Sequence, residues 1–165
     1  MGFVNREKTG NQRILRAVVL CLLFLTSSGC AHTPLKQGIG YDASIGDKAV
    51  HTALSMVGKP YKYRGETPSG FDCSGLVRYS YLAAGMDVPH NTSALREHTR
   101  PVSSREILKG DLVFFNQSGR KYSHVGLYIG EGRFVHAPST GNSVRTDSLR
   151  DPYWKKYYLG ARRLP

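Results

Sequence analysis

The sequence is poor in cysteine, in acidic residues and in long apolar runs. Its three cysteines, at positions 21, 30 and 73, are too few to build a disulfide scaffold. The apolar run 17–25 is shorter than the roughly 20 residues that a membrane-spanning helix needs. Since 12 acidic residues oppose 23 lysines and arginines, the net charge of +11 favours a polyanionic partner: nucleic acid, anionic lipid or an acidic polymer.

The rest of the composition is that of one globular domain. The chain has 165 residues, of which 40% are hydrophobic and 21% are charged. These fractions exclude a disordered chain and a fibrous or repeat architecture. The length is sufficient to bury a hydrophobic core.

The N-terminus has the pattern of an export signal. Basic residues precede the apolar run, and four small residues lead to Cys30. This segment resembles the lipobox of bacterial lipoproteins, although Ser27 stands where an aliphatic residue is usual. The resemblance implies that residues 1–29 are a lipoprotein signal peptide and that Cys30 carries the lipid. Ala31 further implies the periplasmic face of the outer membrane. The alternatives are an ordinary cleaved secretory signal and an uncleaved anchor.

Export argues against nucleic acid as the partner of the basic surface. The leader holds four basic residues and one acidic residue, so the exported part keeps a net charge of +8. In a bacterial envelope the available polyanions are peptidoglycan carboxylates and lipid head groups. The alternative is a basic surface with no specific partner. Export also leaves Cys73 as a free thiol in an oxidising compartment, where it is either buried and inert or reactive.

Sequence patterns divide the exported part into a tether over residues 30–43 and one domain over residues 44–165. Apolar spacing of three and four residues, with capping signals such as Ser44, predicts helices over residues 44–57, 72–85 and 92–98. Alternating or compact apolar runs between turns predict strands over residues 112–115, 124–129, 133–137, 143–146 and 157–163. Helices followed by a run of short strands predict an α+β fold, with the N-terminal helices packed against an antiparallel sheet.

One cysteine and two of the six histidines are expected to act together. Cys73 lies at the predicted start of the second helix, where free N–H groups and the helix dipole stabilise a thiolate or an oxyanion. His124 and His136 lie on strands of one predicted hairpin, which could bring both imidazoles onto one face. His124 is then the base for the thiol, and His136 holds its tautomer. The alternatives are buried residues without a catalytic role, and a zinc site made by all three.

Six segments of the domain resemble the NlpC family of bacterial cell-wall cysteine peptidases, a papain-like group. They include Phe71-Asp-Cys-Ser-Gly-Leu-Val77 and Ser123-His-Val-Gly-Leu-Tyr-Ile-Gly130. All six occur in the family's order and spacing, at residues 58–65, 71–77, 108–115, 123–130, 134–137 and 160–163. The resemblance implies a papain-like fold and hydrolysis of peptide bonds in peptidoglycan stem peptides or crosslinks. It implies no metal and no other cofactor.

The resemblance also assigns roles to individual residues. It makes Cys73 the nucleophile, His124 the general base and His136 the polar residue that orients His124. It further implies that the Tyr61 hydroxyl helps to form the oxyanion hole. Asp72 and Ser74, which flank the nucleophile, are expected to shape substrate contacts.

Three departures from the family pattern lie in or near the expected substrate groove. Arg64 stands where the family usually has a glycine, and an arginine there would be strained if the position needs a positive φ. His90 stands where an arginine is common. Residues 92–98 lack a glutamine that is frequent there.

Other functions remain possible on the same residues. An acyltransferase or amidase would pass the acyl group to an acceptor other than water. A non-catalytic peptidoglycan-binding lipoprotein would not use the thiol at all. In each case the expected partners are peptidoglycan and a membrane reached through the lipid, and the expected state is a monomer.

Overall fold

The computed structural model describes residues 43–117, 119 and 122–165. The predicted signal peptide, the lipidation of Cys30 and all but the last residue of the tether lie outside these residues. Within them, no helix is long and apolar enough to cross a membrane.

The described residues form the predicted helices and strands in the predicted order, together with one helix and three short strands that were not predicted. The helices are α1 (Ala43–Ser55), α2 (Cys73–Ala83), α3 (Thr92–Glu97) and α4 (Pro152–Tyr157). The strands are β1 (Glu66–Thr67), β2 (Gly70–Phe71), β3 (Arg100–Val102), β4 (Leu112–Phe115), β5 (His124–Gly130), β6 (Arg133–His136), β7 (Arg145–Ser148) and β8 (Tyr158–Arg163).

Six strands form one antiparallel sheet in the order β3-β8-β4-β5-β6-β7, while β1 and β2 form a separate small hairpin. Helices α1 and α2 pack against each other and against β5. The predicted α+β class, with N-terminal helices on an antiparallel sheet, is therefore confirmed.

The sheet buries apolar side chains on both faces because alternate residues of a strand point in opposite directions. On β5, Val125 and Leu127 join the core formed with α1 and α2. Tyr128 joins a second core with Phe134 of β6 and Trp154 of α4. His124 and Gly126 share the face of Tyr128, so α4 covers the face that carries the histidines.

Two local predictions were wrong, and the short strands β1, β2 and β3 were not predicted. Ser44 lies inside α1 instead of capping it, and the strand predicted over residues 143–146 occupies Arg145–Ser148. The sequence reading missed α4 altogether. Its start is marked by Asp151, whose side chain accepts a hydrogen bond from Tyr153 N–H, and by Pro152 in the first turn. Both are helix-start signals, but the helix has six residues and lies against a predicted strand.

Candidate active site

Cys73 is the first residue of α2, as the sequence predicts. Asp72 caps this helix: its Oδ1 accepts hydrogen bonds from Gly75 N–H at 2.7 Å and from the Ser74 hydroxyl at 3.0 Å. A Cβ at Gly75 would lie 2.0 Å from the carbonyl oxygen of Gly65, so this turn passes too close to another backbone for any side chain. The cap and the close approach together fix the backbone that carries the thiol.

The two histidines meet on the sheet face that α4 covers. The register of β5 and β6 places His136 opposite Gly126, so His124 is its diagonal neighbour on the same face. His124 Nε2 lies 2.8 Å from His136 Nδ1, and both side chains are buried. Trp154 stacks on His124 with 5.7 Å between ring centroids and meets His136 edge to face. The predicted contact of the two imidazoles is confirmed.

Asp147, on β7, extends this pair into a line of three residues. Its Oδ2 lies 2.9 Å from His136 Nε2. The same oxygen accepts hydrogen bonds from Trp154 Nε1 at 2.9 Å and from Arg145 Nε at 3.1 Å. The hydrogen bond with His136, aided by Arg145, lowers the pKa of the Asp147 carboxyl to about 2 against the opposing effect of burial, so this carboxyl is ionised at any ordinary pH.

The ionised carboxylate determines which nitrogens carry protons. Because the carboxylate of Asp147 can only accept, His136 donates through Nε2–H, and its neutral ring presents Nδ1 as an acceptor. His124 must then donate through Nε2–H. This leaves Nδ1 of His124 unprotonated, so that Nδ1 is the atom able to take a proton from a reacting group.

Cys73 and His124 open onto a common cleft of about 410 Å³. Tyr61, Arg145 and Trp154 also line it. The Cys73 sulfur accepts a hydrogen bond from the backbone N–H of Val125, the residue after His124. The sheet therefore brings the thiol and the base to one cavity.

Burial keeps the thiol and the imidazoles neutral at rest. It raises the pKa of Cys73 to about 11, although backbone N–H groups, foremost that of Val125, act in the opposite direction. Burial also lowers the pKa of His124 well below its usual range, and His136 and Arg145 add to this. The pKa of His136 is lowered by burial too, against the pull of Asp147. Burial thus opposes the thiolate that the helix start was expected to stabilise, and it outweighs the lowering effect of the backbone N–H groups.

The other predicted site residues divide into two groups. Tyr61 lines the cleft with Cys73, and burial raises its pKa, so its hydroxyl remains a donor. Asp72 and Ser74 are buried, and neither is among the described residues that line the cleft. Their polar atoms are used in capping α2, which conflicts with the expectation that they shape substrate contacts.

The two single-residue departures from the family pattern surround this cap. Arg64 has a φ of +57°, so the strain expected of an arginine there is present. Its backbone N–H donates to Asp72 Oδ2 at 3.0 Å. The His90 ring lies between two carboxylates, with Nε2 3.1 Å from Asp72 Oδ1 and Nδ1 3.2 Å from Glu66 Oε2.

Sequence reasoning missed three residues of the site: Arg145, Asp147 and Trp154. Local patterns did not reveal them because β7 is polar and its register with β6 is a tertiary property. The Asp151-Pro152 helix start was the one available signal for Trp154. Within residues 43–117, 119 and 122–165, no group of three or more potential ligands is arranged to hold a metal ion.

Comparison with known proteins shows the family of the chain. Residues 58–163 match the model of the NlpC/P60 family. The chain belongs to this family. Over 122 residues it is 40% identical to the murein DD-endopeptidase MepH of Escherichia coli, covering 70% of this chain and 45% of that protein. It is 36% identical over 115 residues to the bifunctional muramidase/DL-endopeptidase CwlT of Bacillus subtilis, covering 68% and 34%.

A solved structure shows the same fold. It is a Staphylococcus aureus protein described as similar to a lipoprotein of the NLP/P60 family. The TM-score is 0.67 at 31% identity, and the match covers 78% of this chain and 44% of that one. The fold is therefore papain-like, as expected. The chain spans less than half the length of MepH and of CwlT, so similarity supports the shared domain rather than their whole architecture.

Proposed function

We propose that the protein is a cysteine-type endopeptidase that hydrolyses peptide bonds in peptidoglycan. Membership of the NlpC/P60 family and the endopeptidase names of MepH and CwlT support the substrate class. The observation that carries the proposal is the hydrogen-bonded line from Asp147 through His136 to His124, which ends in the cleft that Cys73 also lines.

In the first half-reaction the neutral thiol acts together with its base. As the Cys73 sulfur bonds to the scissile carbonyl carbon, its proton moves to Nδ1 of His124. The carbonyl electron pair becomes an oxyanion, which the backbone N–H of Cys73 and the Tyr61 hydroxyl stabilise. His124 then gives the proton to the leaving amine as the C–N bond breaks. A thioester on Cys73 remains.

In the second half-reaction His124 works in the reverse direction. Its Nδ1 removes a proton from water while the water oxygen attacks the thioester carbonyl. Collapse of the tetrahedral intermediate breaks the C–S bond, and the sulfur regains its proton from His124. His136, fixed by Asp147, holds His124 in the required tautomer throughout.

We also propose the cellular location that the sequence predicts. Residues 1–29 are a lipoprotein signal, Cys30 is the lipid-bearing residue, and residues 30–43 tether the catalytic domain to the periplasmic face of the outer membrane. The lipoprotein description of the Staphylococcus aureus neighbour supports an envelope location. Labelling cells with a radioactive fatty acid tests the lipidation of Cys30. The wild-type protein is expected to be labelled, and the Cys30→Ala variant is expected to remain unlabelled.

Digestion of purified sacculi tests the enzymatic proposal. Wild type is expected to release products with new amine and carboxylate ends, and mass spectrometry assigns the bond as D-glutamyl–diaminopimelate or D-alanyl–diaminopimelate. Cys73→Ala and the near-isosteric Cys73→Ser should both be inactive with unchanged melting temperatures. Cleavage by Cys73→Ala at the wild-type rate would refute the mechanism. A new acyl linkage in place of free ends would identify an acyltransferase.

A further inference from the structure

Among the residues that the structure describes, one fixed charge lies next to the reactive residues of the cleft. Among the described residues that line it, Arg145 is the sole lysine or arginine, and none is an aspartate or glutamate. His124 is neutral because burial lowers its pKa. A ligand entering this cavity therefore meets a guanidinium and no opposing carboxylate on the walls that the structure describes.

Arg145 is held in place while much of its donor capacity remains unused. Its Nε donates to Asp147 Oδ2 at 3.1 Å, and its Nη1 donates to Asn142 Oδ1 at 3.3 Å. A guanidinium has five N–H donors in a rigid plane, so these contacts leave three. The side chain is 45% exposed. It is thus anchored at one edge and accessible at the other.

A purely structural role does not account for this geometry. Asp147 already accepts hydrogen bonds from His136 and Trp154, and Arg145 adds one contact rather than the paired fork that arginine makes with a carboxylate. An ion pair as exposed as this one contributes little to stability. The unused edge of the guanidinium matches a second carboxylate, one brought by a ligand.

We propose that Arg145 binds a free carboxylate of the peptide substrate next to the scissile bond and makes the enzyme selective for stem peptides that carry it. The inference rests on the proposed function, which supplies a substrate rich in carboxylates. The group that Arg145 binds is the free carboxylate of the diaminopimelate residue. Peptides with the carboxamide at this position lose the charge-assisted pair and become poor substrates.

A matched pair of synthetic stem peptides tests this, identical except for a carboxylate or a carboxamide on diaminopimelate. Wild type is expected to prefer the carboxylate by about 10- to 100-fold in kcat/KM. Arg145→Gln should bring the ratio close to one, and Arg145→Lys should give an intermediate ratio. The ratio is informative because replacing Arg145 also removes its hydrogen bond to Asp147, and any activity lost in that way is lost for both peptides equally.

Arg133→Gln is the control, because Arg133 is an exposed arginine on the neighbouring strand β6 that bonds to Thr146 and does not line the cleft. It should keep the wild-type ratio. An unchanged ratio in Arg145→Gln would overturn the inference, and so would equal turnover of both peptides by wild type.

Binding measured in the Cys73→Ala background separates this inference from the proposed function. Calorimetry should show tighter binding of the carboxylate peptide, and Arg145→Gln should abolish the difference. If that preference is found while wild type cleaves neither peptide, the proposed function fails and the carboxylate site stands. If Cys73→Ala binds both peptides equally, the carboxylate site is refuted even if wild type cleaves them.

Discussion

Replacing Asp147 by alanine should reduce activity without unfolding the domain. The carboxylate holds the proton of His136 on Nε2 through a 2.9 Å hydrogen bond. Without this carboxylate, His136 is free to carry its proton on Nδ1. A protonated Nδ1 can no longer accept the hydrogen bond from His124 Nε2. A hydrogen bond to a charged group contributes about 1.5–3 kcal/mol. At 1.36 kcal/mol per factor of ten, kcat should fall by roughly 10- to 150-fold.

The assay compares steady-state cleavage of a soluble muropeptide by wild type, Asp147→Ala and Asp151→Asn. Asp151 is the control because it is an acidic residue four positions along the chain, and asparagine keeps its capping contact with Tyr153. Nitrogen-15 NMR of the imidazoles should show the His136 proton on Nε2 in wild type and its redistribution in Asp147→Ala. A folded Asp147→Ala variant with less than a threefold loss of kcat would refute the reasoning.

The pH profile gives a second check on the same residue. Because its pKa is lowered to about 2, the Asp147 carboxylate is fully ionised above about pH 4, and its contribution is lost only as pH falls through 2. A loss of activity between pH 4 and 6 should therefore not come from protonation of Asp147. An acid limb that follows Asp147 itself would contradict this assignment.

Two further predictions concern Cys73 and its helix. Alkylation of Cys73 by iodoacetamide should still be accelerating above pH 9, because burial raises the thiol pKa to about 11; a plateau below pH 8 would indicate a resting thiolate. Gly75→Ala should lower the free energy of unfolding by about 3 kcal/mol, because its Cβ would meet the Gly65 carbonyl. Gly85→Ala should lower the free energy of unfolding by about 1 kcal/mol in chemical denaturation, because Gly85 has open space around it but a φ of +96°. Equal losses for the two variants would contradict the steric argument.

The sequence predicted those parts of the site that depend on local pattern. Cys73 at the start of α2 follows from the Asp72 cap and the apolar spacing of the helix. The contact of His124 with His136 follows from two alternating strands joined by a tight turn. In both cases a few neighbouring residues determine the geometry, and resemblance to the family supported the same interpretation.

What the sequence did not reveal depends on distant parts of the chain. Asp147 reaches His136 through the register between β6 and β7, which no local pattern encodes. Trp154 reaches both histidines because α4 folds back over the sheet. The thiol pKa depends on burial by the assembled domain, whereas the expectation of a thiolate followed from the helix start. The helix start by itself lowers the thiol pKa, whereas burial in the assembled domain raises it.

Arg145 connects the resting neutrality of the site with substrate binding. Burial lowers the pKa of both His124 and His136, and the positive charge of Arg145 adds to this effect, which disfavours proton transfer from the thiol before a substrate binds. A substrate carboxylate paired with the guanidinium would offset that charge, so the pKa of His124 would rise toward its usual range when a scissile bond is in place. The pairing proposed to select the peptide would thus also favour the proton transfer that begins hydrolysis. A carboxamide peptide would gain neither effect.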